Sequence, residues 1–286
     1  MPLSASDDGN AAQIEYWNGP GGMRWLESQQ THDVLLAKAG ELLIARATPT
    51  SGEVALDIGC GCSATTIELA KRVVPRGRVL GVDVSAPMIE LARRRAPKEL
   101  PIEFVEADAT VYQFEPGRAD LLLSRFGVMF FADPLRSFSN MRVGLRKGAR
   151  VVFVCWREPR MNAWLMLPLQ EAYRHVPRLP EMAPDDPGPF SFASEQRVRG
   201  VLERAGFDRI NLEPVELTFD LANGGGLSAA VETAMHIGPT SRALDGQPAE
   251  KHTAVAESIR AALAPFESKG SIPLPGAFWI VTARNP

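Results

Sequence analysis

Residues 57 to 65 read Asp-Ile-Gly-Cys-Gly-Cys-Ser-Ala-Thr, an acid and two alternating glycines at the end of an apolar run. Gly59, Gly61 and Ala64 fit the G-x-G-x-x-G/A spacing, in which glycines form a tight turn and let a ligand approach the backbone at a helix N-terminus. Asp83 follows at close to the separation of about twenty residues expected of a carboxylate that grips ribose hydroxyls. Two nucleotide cofactors fit this spacing, and charge separates them. A dinucleotide sets a doubly negative pyrophosphate against the turn, where Asp57, two residues before the first glycine, adds repulsion. S-adenosylmethionine has no phosphate but carries a sulfonium and an α-amino group, and a nearby carboxylate favours both. Asp57 can also hydrogen-bond the amides of the turn, and the two roles are compatible.

The surrounding pattern supplies the elements that position these residues. VALDIG (54–59), RVLGVDV (78–84), IEFVEADA (102–109), ADLLLSRF (119–126) and ARVVFVCW (149–156) read as strands. Nearly continuous apolar strands alternating with helices are what a parallel sheet covered on both faces requires. The first intervening helix shows Ile67, Ala70 and Val74 at helical spacing. Ser85 is placed to cap the next, with Pro87 in its first turn and Met88, Leu91 and Ala92 as its apolar stripe. Asp133-Pro134 opens a helix carrying Leu135, Phe138, Met141 and Leu145 that is expected to run to Gly148. Ser194 caps another helix, ended by Gly206. NLEPVELTFDL (211–221) and GAFWIVTARNP complete a seven-stranded, mostly parallel sheet with an antiparallel C-terminal strand. The expected fold class is α/β, doubly wound and Rossmann-like, in a single domain spanning 1–286. Its core is 46–156, 194–221 and 273–286, and its helical cap insertions are 1–45, 157–193 and 222–272.

DIGCGCS resembles the first motif of class I S-adenosylmethionine-dependent methyltransferases, and GVDVSAPMIELAR, VEADATVY and LLLSRFGVMFFADP resemble the next three in order and spacing. The resemblance is strong over residues 54–157 and is nearest to the ubiquinone/menaquinone-biosynthesis-like small-molecule subgroup. It implies that Gly59, Cys60 and Gly61 line the methionine part of the cofactor with backbone atoms and that Asp83 accepts from both ribose hydroxyls. Val84 and Met88 are then against the adenine, Asp108 accepts from its amino group, and the Ala109 amide supports the ring edge. Ser124 and Arg125 border the methyl group. Ser63 departs from the pattern, standing where many members have a third glycine. Tyr16, Trp17 and Trp25 precede the first strand, where related enzymes lay an aromatic lid over the sulfonium; as packing anchors they would look the same.

Methyl transfer is an in-line displacement that disperses the sulfonium charge, so no metal is inherently required. Cys60-x-Cys62 is half of a zinc pattern with no second ligand pair, and no metal is expected. His236, in TAMHIG, is the first candidate for a general base and His32 the second; a lone histidine is more often structural. Phe126, Met129, Phe130 and Phe131, together with Trp164 and Met235 from the cap segments, are candidates for an apolar acceptor pocket. Arg93, Arg94 and Arg95 read as the solvated end of a helix.

The chain has 286 residues with formal net charge -3, which lacks the cationic surplus that a nucleic-acid partner demands. No apolar run is long enough to span a bilayer, the first thirteen residues lack a basic, then apolar, signal pattern, and the three cysteines suit a reducing cytoplasm. The expected function is transfer of a methyl group from S-adenosylmethionine, leaving S-adenosylhomocysteine, to a small, mostly apolar or aromatic acceptor. A homodimer stays open. The alternatives are a nicotinamide-dependent oxidoreductase and a non-catalytic S-adenosylmethionine binder.

Overall fold

Four short helices, α1 (Ala11–Asn18), α2 (Pro20–Glu27), α3 (Gln29–Leu35) and α4 (Ala37–Ala47), lead into the alternating region of the computed structural model, which describes residues 9–183 and 185–286. There β1 (Val54–Ile58), β2 (Arg78–Asp83), β3 (Ile102–Glu106), β4 (Ala119–Arg125) and β5 (Leu145–Trp156) are parallel neighbours. They are joined through α5 (Ala64–Val73), α6 (Ala86–Arg95) and α7 (Pro134–Gly144). After α8 (Ala163–Ala172) and α9 (Glu195–Arg204) come β6 (Asp208–Asp220), α10 (Gly226–His236), α11 (Gly238–Leu244), α12 (Ala249–Leu263) and β7 (Pro273–Arg284). The sheet order is β3-β2-β1-β4-β5-β7-β6, with β7 antiparallel to both β5 and β6. No helix among the described residues is long and apolar enough to cross a membrane.

Strand order reverses between β1 and β4, and the loops leaving these two strands diverge to opposite sides, opening a crevice at their carboxyl ends. The crevice is narrow at its base. A Cβ on Gly59 would lie 2.8 Å from the Gly127 Cα, and one on Gly127 2.8 Å from the Ile58 carbonyl oxygen. Backbone therefore meets backbone where the two loops separate. The central strands are apolar on both sides: Leu121, Leu122 and Leu123 of β4 and Val151 through Trp156 of β5 are all buried.

Several local details differ from the sequence reading. Helix α7 stops at Gly144, and Leu145 already begins β5, because the strand's early residues pair with Ala119 and with the end of β7. The buried stripe of α5 is Thr65, Thr66, Leu69, Ala70 and Val73, rotated from the expected Ile67 and Val74, since Thr66 turns inward to bond Asp57. Ser85 does precede α6, yet its hydroxyl donates to the Trp17 carbonyl at 2.7 Å instead of capping the helix. Asp133 and Ser194 do cap, accepting from the Arg136 and Arg197 amides. Arg95 is not solvated: its guanidinium donates to the Cys62 carbonyl and pairs with Asp33.

Ser63 shows why glycine is common at its position. It sits at the N-cap of α5 with φ 76°, in the left-handed region, and its buried hydroxyl has no partner among the described residues. A left-handed L-residue costs about 1–2 kcal/mol and an orphaned buried hydroxyl about 1–3 kcal/mol, against less than about 1 kcal/mol of added chain entropy for glycine. Ser63→Gly is expected to raise the unfolding free energy by about 1 kcal/mol in urea denaturation; a loss of stability would contradict this account of the turn.

Candidate active site

The crevice deepens into a cavity of about 650 Å³, within the range that accommodates small-molecule ligands. Its base is formed by Ile58, Gly59 and Gly61 from the turn after β1, by Asp83 and Val84 from the end of β2, and by Arg125, Phe126 and Gly127 from the end of β4. Gly59 and Gly61 have φ of 65° and 51°, which turns the chain sharply away from the sheet and leaves no side chain over the ligand space. Asp83 is fixed by two amides, Oδ2 accepting from Gly61 at 2.8 Å and Oδ1 from Ser85 at 2.9 Å, so its carboxylate is oriented before any ligand arrives. Burial raises its pKa, while those same amides oppose the rise.

Asp57 lies directly behind the glycine turn, almost wholly buried, and does not reach the cavity surface. Oδ2 accepts from the Thr66 hydroxyl at 2.7 Å, and Oδ1 has no hydrogen-bond partner among the described residues. Desolvation pushes its pKa up to about 7; Thr66 and the positive charge of Arg125 only partly offset this. Arg125 faces the cavity and has no ion-pair or hydrogen-bond partner among the described residues, and burial lowers its pKa. Near it, His32 donates from Nδ1 to the Ser28 carbonyl at 2.9 Å and stacks on Trp25 with ring centroids 3.9 Å apart. Burial, with Arg125 adding to it, lowers the His32 pKa to about 4, so this imidazole is neutral at pH 7.

The N-terminal helices wall the cavity on one side. Asn18 donates to the Val84 carbonyl and accepts from the Ala86 amide, tying α1 to the start of α6. Tyr16, Trp17 and Trp25 all line the cavity, with Trp17 edge-on to Phe130 at 5.0 Å. The opposite wall is apolar. Phe126, itself at φ 61°, stacks on Trp156 at 3.9 Å, and Met129, Trp164, Leu165, Met166 and Phe190 continue the surface. His236 is exposed at the mouth; its Nδ1 donates to the Glu232 carbonyl at 2.8 Å, which leaves Nε2 with a free lone pair.

The structure thus gathers Tyr16, Trp25, Gly59, Gly61, Asp83, Val84, Met88, Ala109, Arg125, Phe126, Met129, Trp164 and His236 around one space. Six residues named from sequence do not line it. Besides Asp57, the Cys60 side chain packs with Ile89, Ala92 and Phe104, its thiol pushed well above the usual range by burial. Ser63 is buried beneath the turn, and the Ser124 hydroxyl is turned back to accept from the Gly127 amide at 3.3 Å. Asp108 is covered: its Oδ1 accepts from the Asn10 side chain and the Thr110 amide, both at 2.8 Å, and Asn10 forms the wall there. Met235 packs toward the core because α10 turns Ala230, Val231 and Ala234 inward, and only His236 and Ile237 at its end reach the cavity. Asn10, Arg24 and Arg242 line the cavity without having been singled out; nothing in their local sequence marks them, since long-range docking of the helices puts them there. No cluster able to hold a metal ion occurs among the described residues.

The doubly wound fold aligns with those of solved structures, a methyltransferase among them. The YcgJ protein of Bacillus subtilis aligns with a TM-score of 0.58 over 87% of this chain and 98% of its own, at 15% identity. Phosphoethanolamine N-methyltransferase 2 of Haemonchus contortus, solved with S-adenosyl-L-methionine, aligns at 0.53 over 87% of this chain and 52% of its own, at 17% identity. Residues 55–148 match the family model described as a methyltransferase domain. Among curated relatives, a 2-phytyl-1,4-naphtoquinone methyltransferase of Nostoc punctiforme is 31% identical over 42% of this chain. A demethylmenaquinone methyltransferase of Lactococcus lactis is 30% identical over 49%. The chain spans about half the length of these two relatives, 53% and 54%, and 29% of a protein in a Streptomyces fradiae transposon.

The buried carboxylate behind the turn gives a pH signature. The unfolded chain ionises Asp57 near its ordinary pKa of 3.8, whereas the ligand-free native state holds the proton to about 7. Native Asp57 therefore binds more proton across that interval, and its contribution to stability falls as pH rises from about 4 to 7. Asp57→Asn removes this dependence, so urea unfolding should show the variant gaining more than about 1 kcal/mol on wild type between pH 5 and pH 8. A constant difference between the two proteins would contradict it.

Proposed function

We propose that the protein transfers a methyl group from S-adenosylmethionine to a small, mostly apolar or aromatic acceptor by in-line displacement. The observation that carries this reading is Asp57: an unpaired carboxylate oxygen buried behind a glycine turn favours a cationic ligand in the crevice and disfavours a pyrophosphate. The sequence relatives support it, being named for quinone methylation and, in one Streptomyces protein, for aklanonic acid methylation. When bound, the donor supplies an electrophilic methyl group on a positively charged sulfur. The chain's own residues hold, orient and desolvate. Asp83, locked by its two amides, accepts from the ribose hydroxyls, and Val84, Met88 and Ala109 cover the adenine. Gly59 and Gly61 offer backbone at close range. Arg125, which has no ion-pair or hydrogen-bond partner among the described residues, takes the α-carboxylate. Asn10, bound to Asp108, assumes the position on the cavity wall from which Asp108 itself is displaced.

The aromatic wall from Phe126 to Phe190 holds the acceptor and keeps water out, and its joining to the donor end in a single cavity allows the reactants to be aligned. Such alignment supplies up to about 7–11 kcal/mol of rate enhancement, more than the 10²- to 10⁴-fold typical of a general base. His236, with Nε2 free at the mouth, is placed to receive a proton from an acceptor hydroxyl. The helices before β1 and the segments 157–193 and 222–272 act as the acceptor-selecting cap on a core that carries the cofactor motifs. Three free, buried cysteines support a reducing, cytoplasmic setting.

S-adenosylhomocysteine is expected to raise the thermal unfolding temperature, and NAD or NADP to leave it unchanged. Asp83→Ala strands the Gly61 and Ser85 amides and so lowers stability as well, which makes calorimetry on the folded variant the informative measurement. Loss of charge-assisted bonds worth about 1.5–3 kcal/mol each predicts a drop in S-adenosylhomocysteine affinity of at least about tenfold. Protection by NAD, or unchanged affinity in the variant, would sink the reading.

A further inference from the structure

The charged lining of the cavity is unbalanced. Among the described residues it contains Arg24, Arg125 and Arg242 against one carboxylate, Asp83. A cationic methyl donor does not account for this surplus, because its single anionic group is matched by Arg125 alone. Arg24 is already taken up, donating to Asp245 at 2.9 Å and to the Tyr16 hydroxyl at 3.3 Å. Arg242 is not. Its guanidinium carbon lies 5.6 Å from the centre of the Tyr16 ring, and the side chain makes no hydrogen bond or ion pair with any described residue.

The ring beneath it is held in place. Gly21 makes room for Tyr16, since a Cβ there would fall 2.2 Å from the Tyr16 Cε1, and Arg24 anchors the hydroxyl. Arg242 thus rests on a fixed aromatic platform with its donors unspent, on the same cavity as the apolar surface of Leu165, Met166 and Phe190. A guanidinium presents a planar fork of donors suited to a carboxylate. A neutral acceptor leaves that fork unused.

We propose that the methyl acceptor is an acid: an apolar body of roughly bicyclic size bearing a carboxylate or comparably acidic oxygen, which Arg242, seated on Tyr16, holds at the cavity mouth. This rests on the methyl-transfer reading for the reaction, and on the cavity alone for the binding. Held at the mouth, the acid directs the opposite end of the acceptor inward, toward the end of β4 and the glycine turn.

The test is calorimetric titration of the full chain with 2-naphthoate and with its neutral counterpart 2-naphthalenemethanol, in the presence and absence of S-adenosylhomocysteine. Wild type is expected to bind the naphthoate at least about fivefold more tightly than the alcohol. Arg242→Gln is expected to abolish that preference, and Arg242→Lys, which keeps the charge without the fork, to retain part of it, both with S-adenosylhomocysteine affinity within about twofold of wild type. Equal binding of the two probes by wild type, a preference that survives in Arg242→Gln, or no binding of either probe at millimolar concentration would overturn the proposal. Failure of S-adenosylhomocysteine itself to bind would remove the methyl-donor reading and leave the naphthoate comparison to decide this one.

Discussion

A carboxylate buried behind a glycine turn with no salt bridge to satisfy it is the constraint around which the site is organised. Asp57 is held by one hydroxyl, from Thr66, and by the more distant field of Arg125. Leaving it ionised costs free energy unless positive charge arrives in the crevice just beyond the turn. The turn that separates the two is as thin as a polypeptide allows. Gly59 and Gly61 adopt left-handed backbone, and Gly59 abuts Gly127 so closely that neither position has room for a side chain. The field of Asp57 reaches the ligand space with only backbone between them, at the point where the order of strands reverses.

The cavity is completed by elements remote in sequence from that point. Asn18, Ser85 and the Trp17 carbonyl fasten the first helix to the beginning of α6. Asn10 fastens its start to Asp108, and also accepts from the Ala132 amide at 3.2 Å. These bonds cover the ends of β2 and β3. From the other end of the chain, α11 meets Tyr16 through Arg242, while Arg24 reaches Asp245, just beyond that helix. The proposed function therefore puts donor-side chemistry in the sheet and acceptor selection at the junction of two caps.

Much of the sheet was legible because a buried parallel strand has few alternatives to a continuous apolar run, and because its turns carry glycines and acids at fixed intervals. Leu121 to Leu123 and Val151 to Val154 announce themselves in this way. Boundaries were less legible: Leu145 reads as the last apolar residue of a helix, and only its pairing with Ala119 makes it strand. Periodicity also misplaced the buried face of α5, since apolar spacing gives no sign that Thr66 is drawn inward by Asp57. Of the site, residues set by the turn and the strand ends were readable, as with Gly59, Gly61 and Asp83. Asp108 was readable as a strand-end acid, but not its capture by Asn10, a contact between residues 98 positions apart. Arg242 had no local signature, for its significance depends on Tyr16, from the far end of the chain, packing beneath its guanidinium.

The central claim concerns a proton on one carboxyl group, and carbon-detected NMR of the labelled Asp57 carboxyl measures it directly. In the free protein this group is expected to titrate near 7, where burial holds it. With saturating S-adenosylmethionine the positive charges beyond the turn should shift that titration downward by at least about one pH unit, the equivalent of about 1.4 kcal/mol of favourable interaction. A carboxyl that titrates at its ordinary pKa in the free protein, or one whose titration the ligand leaves unmoved or raises, would contradict the account.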